Sequence, residues 1–121
     1  MNWTTIIVAF AVLAMLFFLK RPGQISPKDA QAHLKSGALV IDVRTPAEFS
    51  SGHLPAAINL PLDGIEASLP RRVQEKNQVL LLHCQSGMRS AVAVKKLKGL
   101  GYGNAYNLGS YGRAEQIVSG K

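Results

Sequence analysis

Residues 78–90 read QVLLLHCQSGMRS, in which an apolar run leads into a short loop and then into the start of a helix. A continuous apolar run of this length is typical of a strand that is buried on both faces of a parallel sheet. After the loop, Ala91, Val94 and Leu97 recur with helical spacing on one face. The stretch therefore predicts a buried strand that delivers Cys84 to its carboxyl end, where ligands bind in open α/β sheets.

The same alternation continues on both sides of this stretch. Shorter apolar runs predict three more strands, at residues 38–43, 57–60 and 105–108. Capping residues, Gly and Pro breaks and helical spacing predict helices at residues 26–35, 45–52, 65–73, 90–100 and 110–118. Strands that alternate with helices predict an α/β domain with a mostly parallel sheet.

The composition narrows the class of protein. The 121 residues allow one domain, and 14 Lys and Arg against 7 Asp and Glu give a formal net charge of +7. No dense basic cluster is interleaved with aromatic residues, so nucleic-acid binding is not expected. The single cysteine excludes an intrachain disulfide scaffold and a multi-cysteine metal site, and the three histidines lack ligand spacing, so no metal is expected.

An uncharged apolar segment precedes the predicted domain. Trp3–Leu19 contains 17 residues without a charge, has apolar side chains on every face, and is followed by Lys20 and Arg21. We predict one transmembrane helix with a basic flank over residues 1–21, which meets the lipid bilayer through residues 3–19, and a separate domain over residues 22–121. A cleaved signal peptide is disfavoured, because no Lys or Arg precedes the run and bulky residues occupy the place of a cleavage site.

The two basic residues after this segment also predict an orientation. Positive charge after an apolar span favours the cytoplasmic side, so we expect a single-pass protein of the inner (cytoplasmic) membrane with its domain in the cytoplasm. A reducing cytoplasm suits a lone thiol. A neighbouring membrane protein or a second copy of the chain remains open as a partner of the anchor.

The loop after the buried strand carries residues suited to chemistry at a cysteine. Its predicted anion-binding residues are Gln85, Ser86, Gly87, Met88 and Arg89. A helix N-terminus and a nearby cation lower the pKa of a thiol, and the backbone N–H groups of a tight turn form a concave anion site. Arg89 offers forked donors to an anion. The structural alternative is that the cysteine is only a small buried apolar residue.

Two motifs make the chain from about Ile25 onward resemble the single-domain rhodaneses, which are sulfurtransferases. The first is IDVRTPAEF at residues 41–49 with GHLPAAINLP at residues 52–61, and the second is C-x-x-G-x-R-S at residues 84–90. The resemblance implies a five-stranded, mostly parallel sheet flanked by helices. It also implies that Cys84 accepts a sulfane sulfur as a persulfide and passes it to a nucleophilic acceptor, without a metal or an organic cofactor.

The mechanism expected from this resemblance has two steps. The Cys84 thiolate takes the outer sulfur of a small sulfur-containing anion such as thiosulfate, and cyanide, a thiol or a protein then removes it. The alternative is a membrane-tethered, non-catalytic persulfide carrier or a sulfur-sensing interaction module. A cysteine phosphatase or arsenate reductase is disfavoured, because its loop places five residues between the cysteine and the arginine, whereas four separate Cys84 from Arg89.

Three further residues are candidates to support the loop, namely Asp42, Arg44 and Ser90. Asp42 and Arg44 stand near the end of a predicted strand, where they would fix the loop or line its mouth. The structural alternative, which we favour, is that Arg44 pairs with Glu48 and Asp42 caps the following turn. His83 precedes the cysteine and is expected on the opposite face of the sheet, so it is not expected to be the base of the thiol.

Overall fold

The computed structural model describes residues 2–19 and 24–120. All strands and helices predicted between residues 26 and 118 are present, several of them shorter than predicted. The elements are α1 (Trp3–Leu19), α2 (Pro27–Lys35), β1 (Leu39–Asp42), α3 (Pro46–Ser51), β2 (Ile58–Asn59), α4 (Ile65–Arg72), β3 (Leu80–His83), α5 (Met88–Gly99), β4 (Ala105–Gly109) and α6 (Tyr111–Ser119).

The strands form a parallel sheet in the order β2-β1-β3-β4. The expectation of five strands is therefore wrong for the described residues, which contain four. Beside β4, Gln24 forms only an isolated bridge with Asn107, and the Ile25 N–H donates to the Asn107 carbonyl oxygen at 3.0 Å. After Ile25 the pairing ends because Ser26 caps α2 and Pro27, in its first turn, has no N–H to give to a ladder.

The sheet has a buried core on each face. In β3, Leu80 and Leu82 face the core that α4 and α5 cover, whereas Leu81 faces the core that α2 and α6 cover. All four residues of β3 are buried, which explains the unbroken apolar run that predicted the strand. Cys84 belongs to the α4–α5 core, so it enters its loop from a rigid, fully buried strand.

Local capping decides where α3 begins. The Thr45 hydroxyl accepts the Glu48 N–H at 3.2 Å, and the Glu48 carboxylate accepts the Thr45 N–H at 3.1 Å. This capping box, with Pro46 in the first turn, satisfies backbone donors that have no partner inside the helix. It also orients the Glu48 carboxylate, which matters for the site described below.

The N-terminal segment forms α1, but the predicted transmembrane anchor gains no support. Among the described residues, no helix is both long and apolar enough to cross a membrane. The predicted basic flank of Lys20 and Arg21 lies outside the described residues.

Candidate active site

Cys84 lies between β3 and α5 and is fully buried. Its Sγ accepts the Gly87 N–H at 3.0 Å and the Ser90 N–H at 3.4 Å, and the Ser90 hydroxyl oxygen lies 3.5 Å from it. Donors that converge on one sulfur stabilise negative charge on it, since hydrogen bonds to an ionised acceptor are stronger than neutral ones. The cysteine therefore occupies a site suited to a thiolate.

Two opposing effects set the acidity of this thiol. Burial raises the pKa of Cys84, because the thiolate is removed from water. The hydrogen bonds from the Ser90 hydroxyl and from the backbone N–H groups of Ser90, Gly87 and Ser86 outweigh burial and bring the pKa below its ordinary value. The sequence predicted a lowered pKa from the helix N-terminus and a nearby cation, and the structure adds the hydroxyl of Ser90 as a donor.

The loop turns into α5 at Gly87. This residue adopts φ 92° and ψ −4°, in the left-handed region that disfavours any residue with a Cβ. The turn aims the Gly87 N–H at Sγ, and the Met88 N–H donates to the Ser86 hydroxyl at 3.4 Å. The Met88 side chain is 66% exposed at the start of the helix. Glycine is thus required where the predicted loop reverses its direction.

The connection between β4 and α6 holds the loop from one side. The Tyr111 N–H donates to the Gln85 carbonyl oxygen at 3.3 Å, and Ser86 pairs with Ser110 in an isolated antiparallel bridge. These backbone contacts join two segments that are about 25 residues apart in the chain. Gln85 and Ser86, both predicted as binding residues, are therefore held by backbone pairing as well as by the turn.

Asn107 on β4 is a buried site residue that the sequence analysis missed. Its Nδ2 donates to the Gly87 carbonyl oxygen at 3.1 Å, and its Oδ1 accepts the Ser90 hydroxyl at 2.7 Å and the Gly109 N–H at 2.9 Å. It ties the last strand to both the loop and α5. The only sequence signal was one polar residue inside an apolar run, which does not say what that residue contacts.

Asp42 and Arg44 form a buried ion pair after β1. The Arg44 Nη2 lies 2.8 Å from the Asp42 Oδ2, and the Arg44 backbone N–H donates to the Asp42 Oδ1 at 2.9 Å. The predicted turn cap is therefore present, but the predicted Arg44–Glu48 pair is wrong. The hydrogen bond to Asp42 raises the pKa of Arg44. The Arg44 Nη1 also donates to the Gln85 Oε1 at 3.4 Å, so the Asp42–Arg44 pair contacts the loop through the side chain of Gln85.

Arg89 pairs with Glu48 instead. Its Nη1 and Nη2 lie 2.7 Å and 3.0 Å from the two carboxylate oxygens, in a bidentate arrangement. The hydrogen bond from Arg89, with that from the Thr45 N–H, lowers the pKa of Glu48 to about 2. Both side chains remain about one-third exposed. An anion that reaches the predicted Arg89 donors must share the guanidinium with Glu48.

His83 lies on the face of the sheet away from Cys84, as predicted. Its Nε2 is buried without a hydrogen-bond partner, 3.8 Å from the Asp42 Oδ2, and its ring meets the Tyr111 ring edge-on at 5.7 Å between centroids. Burial lowers the pKa of His83. Within the described residues, no three His, Cys, Asp or Glu side chains are arranged to hold a metal ion.

Comparison with known proteins identifies this arrangement. Residues 26–112 match the rhodanese-like domain family. The chain belongs to this family. Its rhodanese-like domain is 33% identical over 69 residues to the thiosulfate sulfurtransferase PspE of Escherichia coli (strain K12), a match that covers 57% of this chain and 66% of that relative. It is 32% identical over 85 residues to the thiosulfate sulfurtransferase GlpE of Pseudomonas syringae pv. syringae (strain B728a), which covers 70% of this chain and 78% of that relative.

A solved structure supports the same fold. The human single domain sulfurtransferase TSTD1 superposes with a TM-score of 0.66 at 28% identity, over 79% of this chain and 96% of that one. The chain spans just under two thirds of the length of PspE, at 66%. These relatives support sulfur transfer in general for the rhodanese-like domain, whose four-stranded parallel sheet presents one buried cysteine at its carboxyl edge.

Proposed function

We propose that this rhodanese-like domain is a sulfurtransferase that moves a sulfane sulfur from a donor such as thiosulfate to a thiophilic acceptor through a persulfide on Cys84. The observation that carries the proposal is the convergence of the Gly87 N–H, the Ser90 N–H and the Ser90 hydroxyl on the Cys84 Sγ. These donors lower the pKa of the thiol despite its burial, and a thiolate is the reactive form of cysteine.

In the first half-reaction, the Cys84 thiolate attacks the outer sulfur of thiosulfate. A sulfur–sulfur bond forms at Sγ, the sulfur–sulfur bond of thiosulfate breaks, and sulfite leaves with the electron pair. The terminal sulfur of the resulting persulfide carries the negative charge. The backbone N–H groups of the loop from Gln85 to Arg89 hold that sulfur, because the N–H groups of a tight turn form an anion site.

In the second half-reaction, the acceptor removes the terminal sulfur. Cyanide attacks it to give thiocyanate, or a thiolate attacks it to give a persulfide on the acceptor, and the bond to the Cys84 Sγ breaks. The electron pair returns to Sγ and restores the thiolate, which the Gly87 and Ser90 donors stabilise. Two steps through one covalent intermediate predict ping-pong kinetics.

Two cationic side chains lie near the loop without touching Sγ, and each is paired with a carboxylate. Arg44 lies below the loop through Gln85, and Arg89 lies beside it, paired with Glu48. The field of Arg89 reaches Cys84, since the two groups interact electrostatically. Each cation is balanced by a carboxylate, Arg44 by Asp42 and Arg89 by Glu48, so the backbone N–H groups of the loop are the main donors to an anion.

The test is a steady-state thiosulfate:cyanide assay on the full chain beside its Cys84→Ser variant, with intact mass after thiosulfate from the same samples. We expect thiocyanate formation, parallel lines in double-reciprocal plots and a gain of one sulfur atom, all lost in Cys84→Ser. A folded wild-type sample with neither turnover nor mass gain would overturn the thiosulfate reaction. Because the chain has one cysteine, the mass gain has a single thiol to occupy.

The burial of Cys84 keeps the carrier alternative open. Its side chain has no exposed surface, so an acceptor must approach closely to reach the persulfide. A non-catalytic carrier or a sulfur-sensing module would gain one sulfur atom from thiosulfate and yet release it slowly to cyanide. A mass gain without steady-state turnover therefore favours a carrier that needs a protein acceptor, and turnover favours the enzyme.

We also propose that α1 attaches the domain to the cytoplasmic face of a membrane. The support is its exposed apolar surface, in which Trp3 is 77% and Phe10 is 72% exposed, and no described residue of α1 belongs to either core. Cells that make the full chain, or the same chain without residues 2–19, are fractionated by centrifugation. We expect the full chain in the membrane fraction and the shortened chain in the supernatant, and a full chain in the supernatant would overturn the proposal.

A further inference from the structure

The hydroxyl of Ser90 faces two acceptors at once. It lies 2.7 Å from the Asn107 Oδ1 and 3.5 Å from the Cys84 Sγ. A serine hydroxyl has one proton to donate, so it serves only one of these acceptors at a time. All three side chains are fully buried, so the hydroxyl is shared between these two protein acceptors without contact with bulk solvent.

The backbone decides which atom of Asn107 faces Ser90. The Gly109 N–H donates to the Asn107 Oδ1 at 2.9 Å, and the Asn107 Nδ2 donates to the Gly87 carbonyl oxygen at 3.1 Å. A flipped amide would place the Nδ2 donor against the Gly109 N–H donor and the Oδ1 acceptor against the Gly87 carbonyl acceptor. The oxygen must therefore point toward Ser90. An amide oxygen only accepts, and the 2.7 Å contact therefore uses the proton of Ser90.

We propose that Asn107 is a positioning residue whose Oδ1 accepts the hydrogen bond of the Ser90 hydroxyl while the Cys84 Sγ is neutral and loses it when Sγ becomes a thiolate. For the sulfur-transfer cycle, the inference rests on the proposed function. Asn107 touches neither the donor nor the sulfur. It acts through Ser90, and it competes with the thiolate for one hydrogen bond.

The Ser90 hydroxyl follows the charge on Sγ through the cycle. In the thiolate, the Ser90 hydroxyl rotates toward Sγ, while the Asn107 Oδ1 keeps the Gly109 N–H. When the thiolate attacks a donor, the charge moves to the terminal sulfur, Sγ becomes a neutral atom with two bonds, and the hydroxyl returns to Asn107. When the acceptor removes the terminal sulfur, the rotation reverses. The proton stays on the Ser90 oxygen throughout, so no proton has to enter or leave.

Two consequences follow for the thiol. Removal of the Ser90 hydroxyl takes a donor from the thiolate, so Ser90→Ala raises the thiol pKa. Removal of the competing amide frees that donor, so Asn107→Leu, which keeps the branched shape of the side chain, lowers the thiol pKa. Each shift is about one pH unit, the size of one hydrogen bond to a charged group. The lowering requires Ser90, so it disappears in the Ser90→Ala background.

The surrounding charges are the same in all of these variants. Arg89 on α5 and its partner Glu48 on α3 lie beside the loop, the Asp42–Arg44 pair lies below it, and His83 on β3 lies on the other face of the sheet. None of them hydrogen-bonds to Ser90 or Asn107 among the described contacts. If Asn107→Leu shifts the thiol pKa differently in wild type and in Ser90→Ala, the difference therefore reports on the Ser90 hydroxyl.

The experiment measures the thiol pKa of the full chain from the ultraviolet absorbance of the thiolate, without any sulfur donor, for wild type, Asn107→Leu, Ser90→Ala and the double variant. We expect a lower pKa in Asn107→Leu, a higher pKa in Ser90→Ala and no further change when Asn107→Leu is added to Ser90→Ala. An equal shift in both backgrounds, or a raised pKa in Asn107→Leu, would overturn the proposal. Thermal unfolding of each variant checks that it is folded.

A second measurement needs no substitution at Asn107. The side-chain carbonyl carbon of Asn107 is followed by NMR during titration of the Cys84 thiol, in wild type and in Ser90→Ala. We expect its chemical shift to follow the thiol titration in wild type and to stay constant in Ser90→Ala, whereas a constant shift in both would overturn the proposal. Failure of the wild type to take up sulfur would refute the proposed function and leave these two results standing.

Discussion

Arg89 and Glu48 join the start of α5 to the start of α3 through two hydrogen bonds, of 2.7 Å and 3.0 Å. The residues are 41 positions apart in the chain. Glu48 also closes the capping box of α3 with Thr45, so one carboxylate serves a helix start and the cation beside the cysteine loop. The pair sets the position of the guanidinium at the mouth of the site.

We expect Glu48→Gln to reduce the loss of stability in acid. The pKa of Glu48 is lowered from 4.5 to about 2 in the folded state, first by Arg89 and then by Thr45. Its contribution is therefore complete above about pH 4.5 and is lost as the pH falls toward 2. Urea unfolding from pH 6 to about pH 2 measures this, and the wild type should lose more stability than Glu48→Gln over that interval.

The matched control for Glu48 is Glu66→Gln. Glu66 also pairs with a cation on α5, because its carboxylate lies 3.4 Å from the Lys96 Nζ, but this pair is more exposed and takes no part in the capping box. Exposed ion pairs contribute little. A curve for Glu66→Gln that flattens as much as that of Glu48→Gln would contradict the assignment to the Arg89–Glu48 pair.

Gly87→Ala should affect both stability and the thiol. Gly87 has φ 92°, where a Cβ costs about 1–2 kcal/mol, and its N–H donates to the Cys84 Sγ at 3.0 Å. We expect lower stability and a raised thiol pKa, because relief of the strain turns this donor away from the sulfur. Denaturant unfolding and thiolate absorbance measure the two effects.

Gly64→Ala separates these two effects. Gly64 precedes α4 with φ 86°, much as Gly87 precedes α5 with φ 92°. Its substitution should cost a similar free energy of unfolding and leave the thiol pKa unchanged. If both alanine variants shift the thiol pKa equally, the shift reflects general loosening of the fold.

Removal of one partner of the buried Asp42–Arg44 pair should destabilise the protein strongly. Asp42 is 0% and Arg44 is 5% exposed, so Arg44→Leu leaves a buried carboxylate without its partner. We expect a loss of about 3–5 kcal/mol in the free energy of unfolding, and a smaller loss when Asp42→Leu is added to Arg44→Leu. Urea unfolding of the two single variants and the double variant measures this, and additive losses would contradict a direct pair.

His83→Phe should reduce the loss of stability below neutral pH. Burial lowers the pKa of His83, so the unfolded chain takes up a proton at a higher pH than the folded one. The stability is therefore complete above the ordinary pKa of about 6.5 and falls as the pH drops below it. Urea unfolding between pH 8 and about pH 5 should give a flatter curve for His83→Phe than for wild type. A His33→Phe control should keep the wild-type dependence of stability on pH if the effect belongs to the buried ring of His83.

The order of the strands and helices was predictable because it depends on local patterns. The apolar run before Cys84 predicts a strand because both of its faces are buried. The helical spacing after Cys84 predicts a helix because one of its faces is buried. The start of α3 is equally local, because a capping residue followed by proline indicated it. The local patterns also predicted the four strands that are present, whereas the fifth strand that the resemblance implied is absent from the described residues, in which Gln24 makes one isolated bridge beside β4.

Three features were predictable from the order of the amino acids, namely the α/β fold, the place of Cys84 at the end of its most apolar strand and the glycine turn that starts α5. These features follow from periodicity and backbone conformation within a few residues. Three contacts emerge only in the folded chain, namely Glu48 with Arg89, Asp42 with Arg44, and Asn107 with the loop. A charged or polar side chain has several chemically equal partners along the chain, and the packing of the sheet selects the one that lies within hydrogen-bonding distance.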